Sequence, residues 1–201
     1  MSILVGRKAP DFTAHAVLGN GEIANQFRLT EALKGKYGLV FFYPLDFTFV
    51  CPSELIALQN RLDAFKEREV EVISVSIDSH FTHKAWRDTP INKGGIGAVG
   101  YTMVADMNHS ICQAYGVEHP DVSVAFRAAF IIDKSGLVRA QLVNDLPLGR
   151  NIDELIRLID ALQFHEQHGE VCPAGWNKGK KGMKATSEGV ASFLGQHAQG
   201  L

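Results

Sequence analysis

Apolar residues along this chain follow two alternating rhythms. Residues 39–43 form an unbroken apolar run, the pattern of a strand covered on both faces. After Cys51 the positions Leu55, Leu58, Leu62 and Phe65 recur at helical spacing, which predicts a helix to about Lys66 with one face on that sheet. Residues 70–77, rich in Val and Ile, predict a second central strand, and strand, helix, strand at this length implies a right-handed parallel crossover. Residues 80–87 read as a short helix, 91–100 as a glycine-rich loop, 102–105 as a strand, and 110–115 as a short helix stopped by Gly116. Residues 128–132 and 138–144 flank Asp133-Lys-Ser-Gly136 and predict an antiparallel hairpin. Ile152, Leu155, Ile156, Ile159 and Leu162 predict an amphipathic helix over 151–165 behind an Asn151 cap. Ahead of these elements, residues 6–25 read as extended chain with a turn at Gly19-Asn-Gly21. The order indicates an α/β fold: a central mixed sheet flanked by helices.

Composition adds limits. With 201 residues and 46% hydrophobic content the chain can bury a full core, so we expect one domain, 1–165, and a C-terminal arm, 166–201. A net charge of −2 gives no electrostatic case for nucleic acid or a membrane surface. Residues 1–12 carry Arg7 and Lys8 and no extended apolar core, which reads as neither signal peptide nor membrane span and points to the cytosol. Cys51, Cys112 and Cys172 are too few and too odd in number for a secreted disulfide framework.

The chemistry concentrates where the first strand ends, in Phe41-Phe-Tyr-Pro-Leu-Asp-Phe-Thr-Phe-Val-Cys-Pro-Ser-Glu54. Pro44 lacks an N–H and holds Tyr43 extended, which ends the strand and aims the loop. Pro52 suits the first helical turn and Glu54 the acidic position of a capping box, so Cys51 falls at an N-cap or first-turn position. There the positive end of the helix favours thiolate over thiol. An ordinary thiol is about 3% ionised at neutral pH, and making it roughly 90% thiolate costs about 3.4 kcal/mol. A helix dipole supplies at most ~2 kcal/mol, so a fixed cation must add the rest. Arg127, at the mouth of the hairpin's first strand, is the best candidate, although a bare Arg there also reads as a solvated strand end. Thr48, three residues ahead of Cys51, offers a hydroxyl to the sulfur or to an oxygen leaving it.

Other features read as structural. A lone cysteine in an apolar context is usually inert packing. That reading fits Cys112, whereas Pro44, Thr48 and Pro52 around Cys51 are not what packing requires. The pairs His80/His83 and His165/His168 share helix faces, but no further ligands match them, so they read as solvated helix ends rather than a metal site. Gly95-Ile-Gly-Ala-Val-Gly100 matches G-x-G-x-x-G, yet it lacks the preceding strand and following helix of a dinucleotide site. Lys178, Lys180, Lys181 and Lys184 read as a solvated, flexible tail. Cys172, between helix and tail, is poorly placed for packing and well placed to move.

Pro44-x-x-x-Thr48-x-x-Cys51 resembles the active-site motif of peroxiredoxins. Phe47-Thr-Phe-Val-Cys-Pro-Ser-Glu54 resembles the version in the typical two-cysteine subgroup, which includes bacterial alkyl hydroperoxide reductase C components. Arg127 before Phe130-Ile-Ile-Asp133 resembles the strand whose arginine contacts the reactive sulfur, and Gly169-Glu-Val-Cys-Pro-Ala-Gly-Trp176 resembles the resolving-cysteine motif. The resemblance spans about residues 6–193 and implies a thioredoxin-like fold with a C-terminal tail carrying the second cysteine.

It further implies a thiol-dependent peroxidase that reduces hydrogen peroxide and organic hydroperoxides. Cys51 would become a sulfenic acid, Thr48 would polarise the peroxide, Arg127 would stabilise thiolate and developing charge, Pro44 would exclude water, and Glu54 would orient Arg127 or the cap. Cys172, from the partner subunit of a homodimer, would close a disulfide, with dimers assembling into decamers. No cofactor or metal is implied. The reductant would be thioredoxin or a dedicated flavoprotein disulfide reductase, because the chain has no Cys-x-x-Cys; the same absence weighs against a thioredoxin-type oxidoreductase. A non-enzymatic holdase is a further alternative. Family members sensitive to overoxidation carry a Gly-Gly-Leu-Gly loop and a Tyr-Phe pair on the final helix; here stand Gly94-Gly-Ile-Gly97 and Phe193-Leu194. Intermediate sensitivity is therefore expected.

Overall fold

The computed structural model describes residues 3–200. The chain forms two compact units, 1–152 and 153–201. The expected division at 165 would leave the long helix with the first unit, whereas by compactness it groups with the C-terminal one.

The first unit is built on a seven-stranded mixed sheet in the order β2-β1-β5-β4-β3-β6-β7. β1 (Thr13–Val17) and β2 (Ile23–Arg28) form an antiparallel hairpin whose turn is closed by the Leu18 N–H on Glu22 O at 2.8 Å. A single turn of helix, α1 (Leu29–Ala32), leads to β3 (Tyr37–Phe42). The helix predicted over 51–66 is split at Arg61 into α2 (Cys51–Asn60) and α3 (Leu62–Lys66). Then come β4 (Val70–Ser76), α4 (His80–Asp88), β5 (Thr102–Ala105), α5 (Ser110–Ala114), β6 (Arg127–Ile132) and β7 (Val138–Asn144). β3, β4 and β5 are parallel neighbours, which the intervening helices permit, and β6 and β7 form the predicted antiparallel hairpin.

β3 is buried at every residue, as its apolar run requires. Pleating sends Val40 and Phe42 to one face, where they join Ile73, Val75, Tyr115 and Phe130 in the main core under α1 and α5. Each such side chain contributes about 1.5–3 kcal/mol by leaving water. Leu39, Phe41 and Tyr43 point the other way, and the Tyr43 ring lies 6.2 Å from that of Trp86 on α4. Helices thus cover both faces, as the resemblance implies, and β3 delivers its C-terminal end into a loop between them.

The G-x-G-x-x-G letters have a packing explanation. A Cβ on Gly95 would stand 1.9 Å from Thr89 O, and Gly94 and Gly97 have φ of +83° and +70°. These glycines let the loop turn back against the end of α4.

In the second unit, α6 (Ile152–His168) buries Ile152, Leu155, Ile159 and Leu162, four of the five predicted stripe residues. The segment expected as a flexible tail is folded against it. Trp176 is buried, its ring lies 4.8 Å from Phe164, its O accepts from Arg157 Nη1 at 2.9 Å, and its Nε1–H donates to Lys180 O at 3.0 Å. α7 (Ser187–His197), capped by the Thr186 hydroxyl on the Gly189 N–H, buries none of its residues. Among the described residues no helix is long and apolar enough to cross a membrane.

Candidate active site

The loop from β3 to α2 is fixed before any reactive group is reached. Tyr43 extends the sheet by one bond, its N–H on Val75 O at 3.0 Å, and Pro44, buried and without an N–H, ends the pairing. Asp46 is the loop's anchor. Its N–H donates to Asp78 Oδ2 at 2.9 Å, and its buried carboxylate receives the Tyr43 hydroxyl at 2.7 Å and faces His83 Nδ1 at 2.8 Å. Burial pushes the Asp46 carboxyl up, and the His83 contact pulls it partly back. His83, wholly buried, also reaches Val104 O at 3.1 Å through Nε2, and His80 is buried beside it. These two histidines are therefore not solvated helix ends: α4 lies on the sheet and turns them inward. His165 and His168 are exposed as expected. Phe47 is held at φ 53°, a left-handed conformation that costs a non-glycine residue of order 1 kcal/mol or more.

Cys51 is the first residue of α2, with Val50 as a cap that offers no side-chain hydrogen bond and Pro52 next in line. The capping-box reading of Glu54 fails because the carboxylate is committed elsewhere. Arg127, the first residue of β6, donates from Nη1 to Glu54 Oε2 at 2.8 Å and to Cys51 Sγ at 3.4 Å, and from Nε to Leu146 O. Arg150 donates to Glu54 through its backbone N–H and Nε (2.8 Å each to Oε1) and through Nη2 (2.9 Å to Oε2). Its Nη1 donates to Ala128 O at 2.6 Å, and its guanidinium lies 3.3 Å above the Phe41 ring. All three charged side chains are buried. Burial pushes the Glu54 carboxyl up, but Arg150's hydrogen bonds and charge, with Arg127's charge, leave it below the usual carboxylate range. Burial brings Arg150 down to about 10 against the opposite pull of Glu54, so it remains charged at neutral pH. Two guanidinium groups share one carboxylate. The surplus positive charge is enclosed against a sulfur that has no exposed surface.

Thr48, half-buried, donates its hydroxyl to Leu45 O at 2.8 Å rather than to the sulfur. Its proton is thereby turned into the loop and its oxygen lone pairs are left to accept.

Arg150 was not among the residues singled out from sequence. The only local hint is Gly149 before it, where a Cβ would come within 3.3 Å of Val50 Cγ1; the missing side chain lets this segment approach the start of α2.

Cys172 follows α6, half-buried, and its thiol donates to Ala161 O at 3.4 Å. Burial pushes this thiol up, opposed by Arg157, which is itself bonded to Glu154 at 2.6 and 2.7 Å. Cys112 is buried in the core as expected, pushed up to about 12 by burial and by Asp106. All three cysteines are free thiols.

Comparison with known proteins agrees with this chemistry. The AhpC/TSA family model matches residues 5–141, and the model of the C-terminal domain of 1-Cys peroxiredoxin matches residues 161–196. An alkyl hydroperoxide reductase C of Buchnera aphidicola subsp. Schizaphis graminum is 52% identical over 95% of this chain and 96% of its own length. One from Helicobacter pylori strain J99 is 54% identical over 98% of both. Among solved structures, the reduced 2-Cys peroxiredoxin of Plasmodium vivax superposes with a TM-score of 0.93 at 50% identity, covering 96% of this chain and all of that one.

Proposed function

For a chain that belongs to the AhpC/TSA family, and is thus a thiol-dependent peroxidase, we propose that Cys51 is the peroxide-reacting thiolate and Cys172 the thiol that resolves it. One observation carries the assignment of Cys51: the buried Glu54–Arg127–Arg150 cluster has one positive charge in excess, and Arg127 directs an N–H at Sγ from 3.4 Å. A thiolate there completes the charge balance of an enclosed site, whereas a thiol leaves a buried cation uncompensated.

In the proposed reaction the Cys51 thiolate attacks the terminal oxygen of a hydroperoxide. The O–O bond breaks, a sulfenic acid forms, and hydroxide or alkoxide leaves to be protonated. Arg127 stabilises both the thiolate and the charge growing on the peroxide oxygens. Glu54 acts through Arg127 and Arg150 by holding both forks in place, and it touches no substrate. Thr48 accepts from the peroxide O–H, which its outward lone pairs favour. Pro44 keeps the loop closed to water. Cys172 then attacks the sulfenic sulfur, expelling water and leaving a disulfide.

The family resemblance supports a partner subunit as the source of Cys172, hence a homodimer, with dimers assembling into a decamer. It also supports an external dithiol reductant, thioredoxin or a dedicated flavoprotein; residence in the cytosol is supported by the sparse, odd-numbered cysteine set. Stopped-flow oxidation of the reduced protein by hydrogen peroxide tests the assignment. Wild type should react in a fast second-order step and Cys51→Ser should not; equal rates would remove Cys51 from the chemistry.

A further inference from the structure

The turn between β5 and β6 carries a cluster that peroxide reduction does not use. His109, Cys112 and Glu118 bring one ring nitrogen, one sulfur and one carboxylate oxygen within 4.8 Å of one another. Local structure accounts for the meeting. His109 immediately precedes α5 and Cys112 stands one turn on, so the two share a face. Gly116, at φ +67°, reverses the chain, and the Val117 N–H closes on Cys112 O at 2.9 Å, which returns Glu118 to the same side. The Asp106 carboxylate pins the turn from below by accepting the N–H groups of Ile111 and Cys112 at 2.9 and 2.7 Å.

The His109 and Glu118 side chains face each other, and the Cys112 sulfur lies within 4.8 Å of both. Glu118 Oε1 is 2.6 Å from His109 Nδ1, and its other oxygen accepts from Gln113 Nε2 at 2.9 Å. The Cys112 thiol donates to His109 O at 3.2 Å. Cys112 is buried, while the His109 and Glu118 side chains are 23% and 26% exposed, giving the cluster a dry floor and an open mouth.

We infer that His109, Cys112 and Glu118 form a binding site for one divalent transition-metal ion of the zinc class, with a fourth position open to water. The donor set argues for that class. Mixed nitrogen, sulfur and oxygen ligands suit zinc, cobalt or nickel, whereas magnesium and calcium take oxygen ligands alone. Neutral imidazole, thiolate and carboxylate sum to two negative charges, and the buried Asp106 carboxylate beneath Cys112 adds a third, so the pocket favours a cation. Binding exchanges the Cys112 S–H bond for a metal–sulfur bond and releases that proton to solvent. Bond lengths of about 2.0–2.3 Å in a tetrahedron put ligand atoms roughly 3.4–3.6 Å apart. The His109–Glu118 pair must open by about 1 Å and the widest pair close by about as much. Side-chain rotation at the open mouth suffices for both. Gln113 supplies the outer hydrogen bond that keeps the carboxylate aimed.

The test uses the full chain carrying Cys51→Ser and Cys172→Ser, so that Cys112 is the sole thiol. Cobalt(II) titration should give a near-ultraviolet thiolate-to-cobalt charge-transfer band that saturates at one equivalent and is displaced by zinc. Adding Cys112→Ser should abolish the band. His109→Gln and Glu118→Gln should each weaken binding at least about tenfold, and Gln113→Leu should weaken it by about tenfold. Zinc should also raise the melting temperature of the two-serine chain and fail to do so with His109→Gln, a readout that stands if Cys112→Ser folds poorly. No charge-transfer band at excess cobalt, or a band of unchanged affinity in His109→Gln and Glu118→Gln, would overturn the site.

Discussion

The surroundings of Cys51 and Cys172 differ in almost every respect that governs a thiol. Cys51 is sealed, begins a helix, and faces a guanidinium belonging to a cluster with excess positive charge. Cys172 is half-buried outside any helix or strand, donates to a carbonyl, and has as its neighbouring cation an arginine already paired with Glu154. Burial is not the discriminating quantity, since Cys112 is as buried as Cys51 but sits over the acid Asp106. The sign of the enclosed charge differs: a guanidinium of a cluster with surplus positive charge faces Cys51, whereas a carboxylate lies under Cys112. In the proposed reaction Cys51 attacks peroxide and Cys172 waits for the sulfenic acid.

Variants can break this contrast at either end. Apart from Cys51→Ser, removal of the Cys172 thiol should have the largest effect on turnover. Cys172→Ser should react once with peroxide and then stall as a sulfenic acid that dimedone labels. Wild type should instead run as a disulfide-linked dimer on a non-reducing gel. Sustained turnover of Cys172→Ser with thioredoxin would deny it the resolving role.

Arg127→Ala should slow the first oxidation by about 10²–10³-fold, the usual cost of losing one charge-stabilising donor. The stopped-flow rate constant reports this, and a change under about threefold would show that Arg127 does not serve the sulfur. Glu54→Gln should destabilise the fold by about 3–5 kcal/mol, because two buried guanidinium groups lose their partner. The Glu54 carboxyl is held below its usual value of 4.5, so its ionisation contributes stability that is present above that pH and lost as pH falls through the folded value. Urea midpoints across an acid pH series should show this loss in wild type and a smaller one in Glu54→Gln.

A third test sharpens the contrast through pH. The Cys172 thiol is pushed up, so disulfide closure should quicken by about tenfold per pH unit while that thiol is mostly protonated. Rapid-quench measurement of disulfide formation from about pH 6 upward, through the range below an ordinary thiol's pKa, checks it. A flat profile would mean that opening of the structure, not thiol ionisation, limits closure.

The smallest effect concerns overoxidation. Leu194 is 43% exposed, and the Phe193 ring lies 4.8 Å from that of His197 within its own helix. Phe193→Tyr with Leu194→Phe should add a hydrogen bond of about 0.5–1.5 kcal/mol and an aromatic contact, raising sulfinic acid at Cys51 by up to about tenfold at a given peroxide dose. Mass spectrometry across a peroxide series reads this directly, and identical curves would dismiss the helix from the process.

What could be read without coordinates was what is local. The run at Leu39–Phe42, the hairpin around Asp133–Gly136 and the stripe of α6 are set by neighbours a few residues apart. The break at Arg61 was hidden because Leu55, Leu58, Leu62 and Phe65 keep helical spacing across it. Arg150 was hidden for another reason: its contact with Glu54 spans 96 positions, and no periodicity connects them. The capping-box reading of Glu54 misled for the same reason, while its other reading, as a partner of Arg127, matches a contact of 2.8 Å. The spacing of Glu54 from Cys51 matches a capping box, but two arginines arriving from β6 and the loop after β7 offer a charged partner that a cap does not. The burial of His83 likewise depends on Asp46, which reaches it from 37 positions away.

The fixed points on either side of Cys51 also set a tether length. Asp46 is bound to Asp78 and His83, and Glu54 to both arginines, so the slack between them is the short stretch that includes the sulfur. Glu54 lies three positions beyond Cys51, and even fully extended that stretch reaches about 10 Å. The first turn of α2 can uncoil that far before it strains the buried ion cluster, giving up the Ser53 and Glu54 N–H bonds to Val50 O at 3.1 and 3.3 Å, the Ser53 hydroxyl bond to the same carbonyl at 2.6 Å and the Arg127 contact with Sγ. In the proposed disulfide closure any longer journey falls to the segment that carries Cys172.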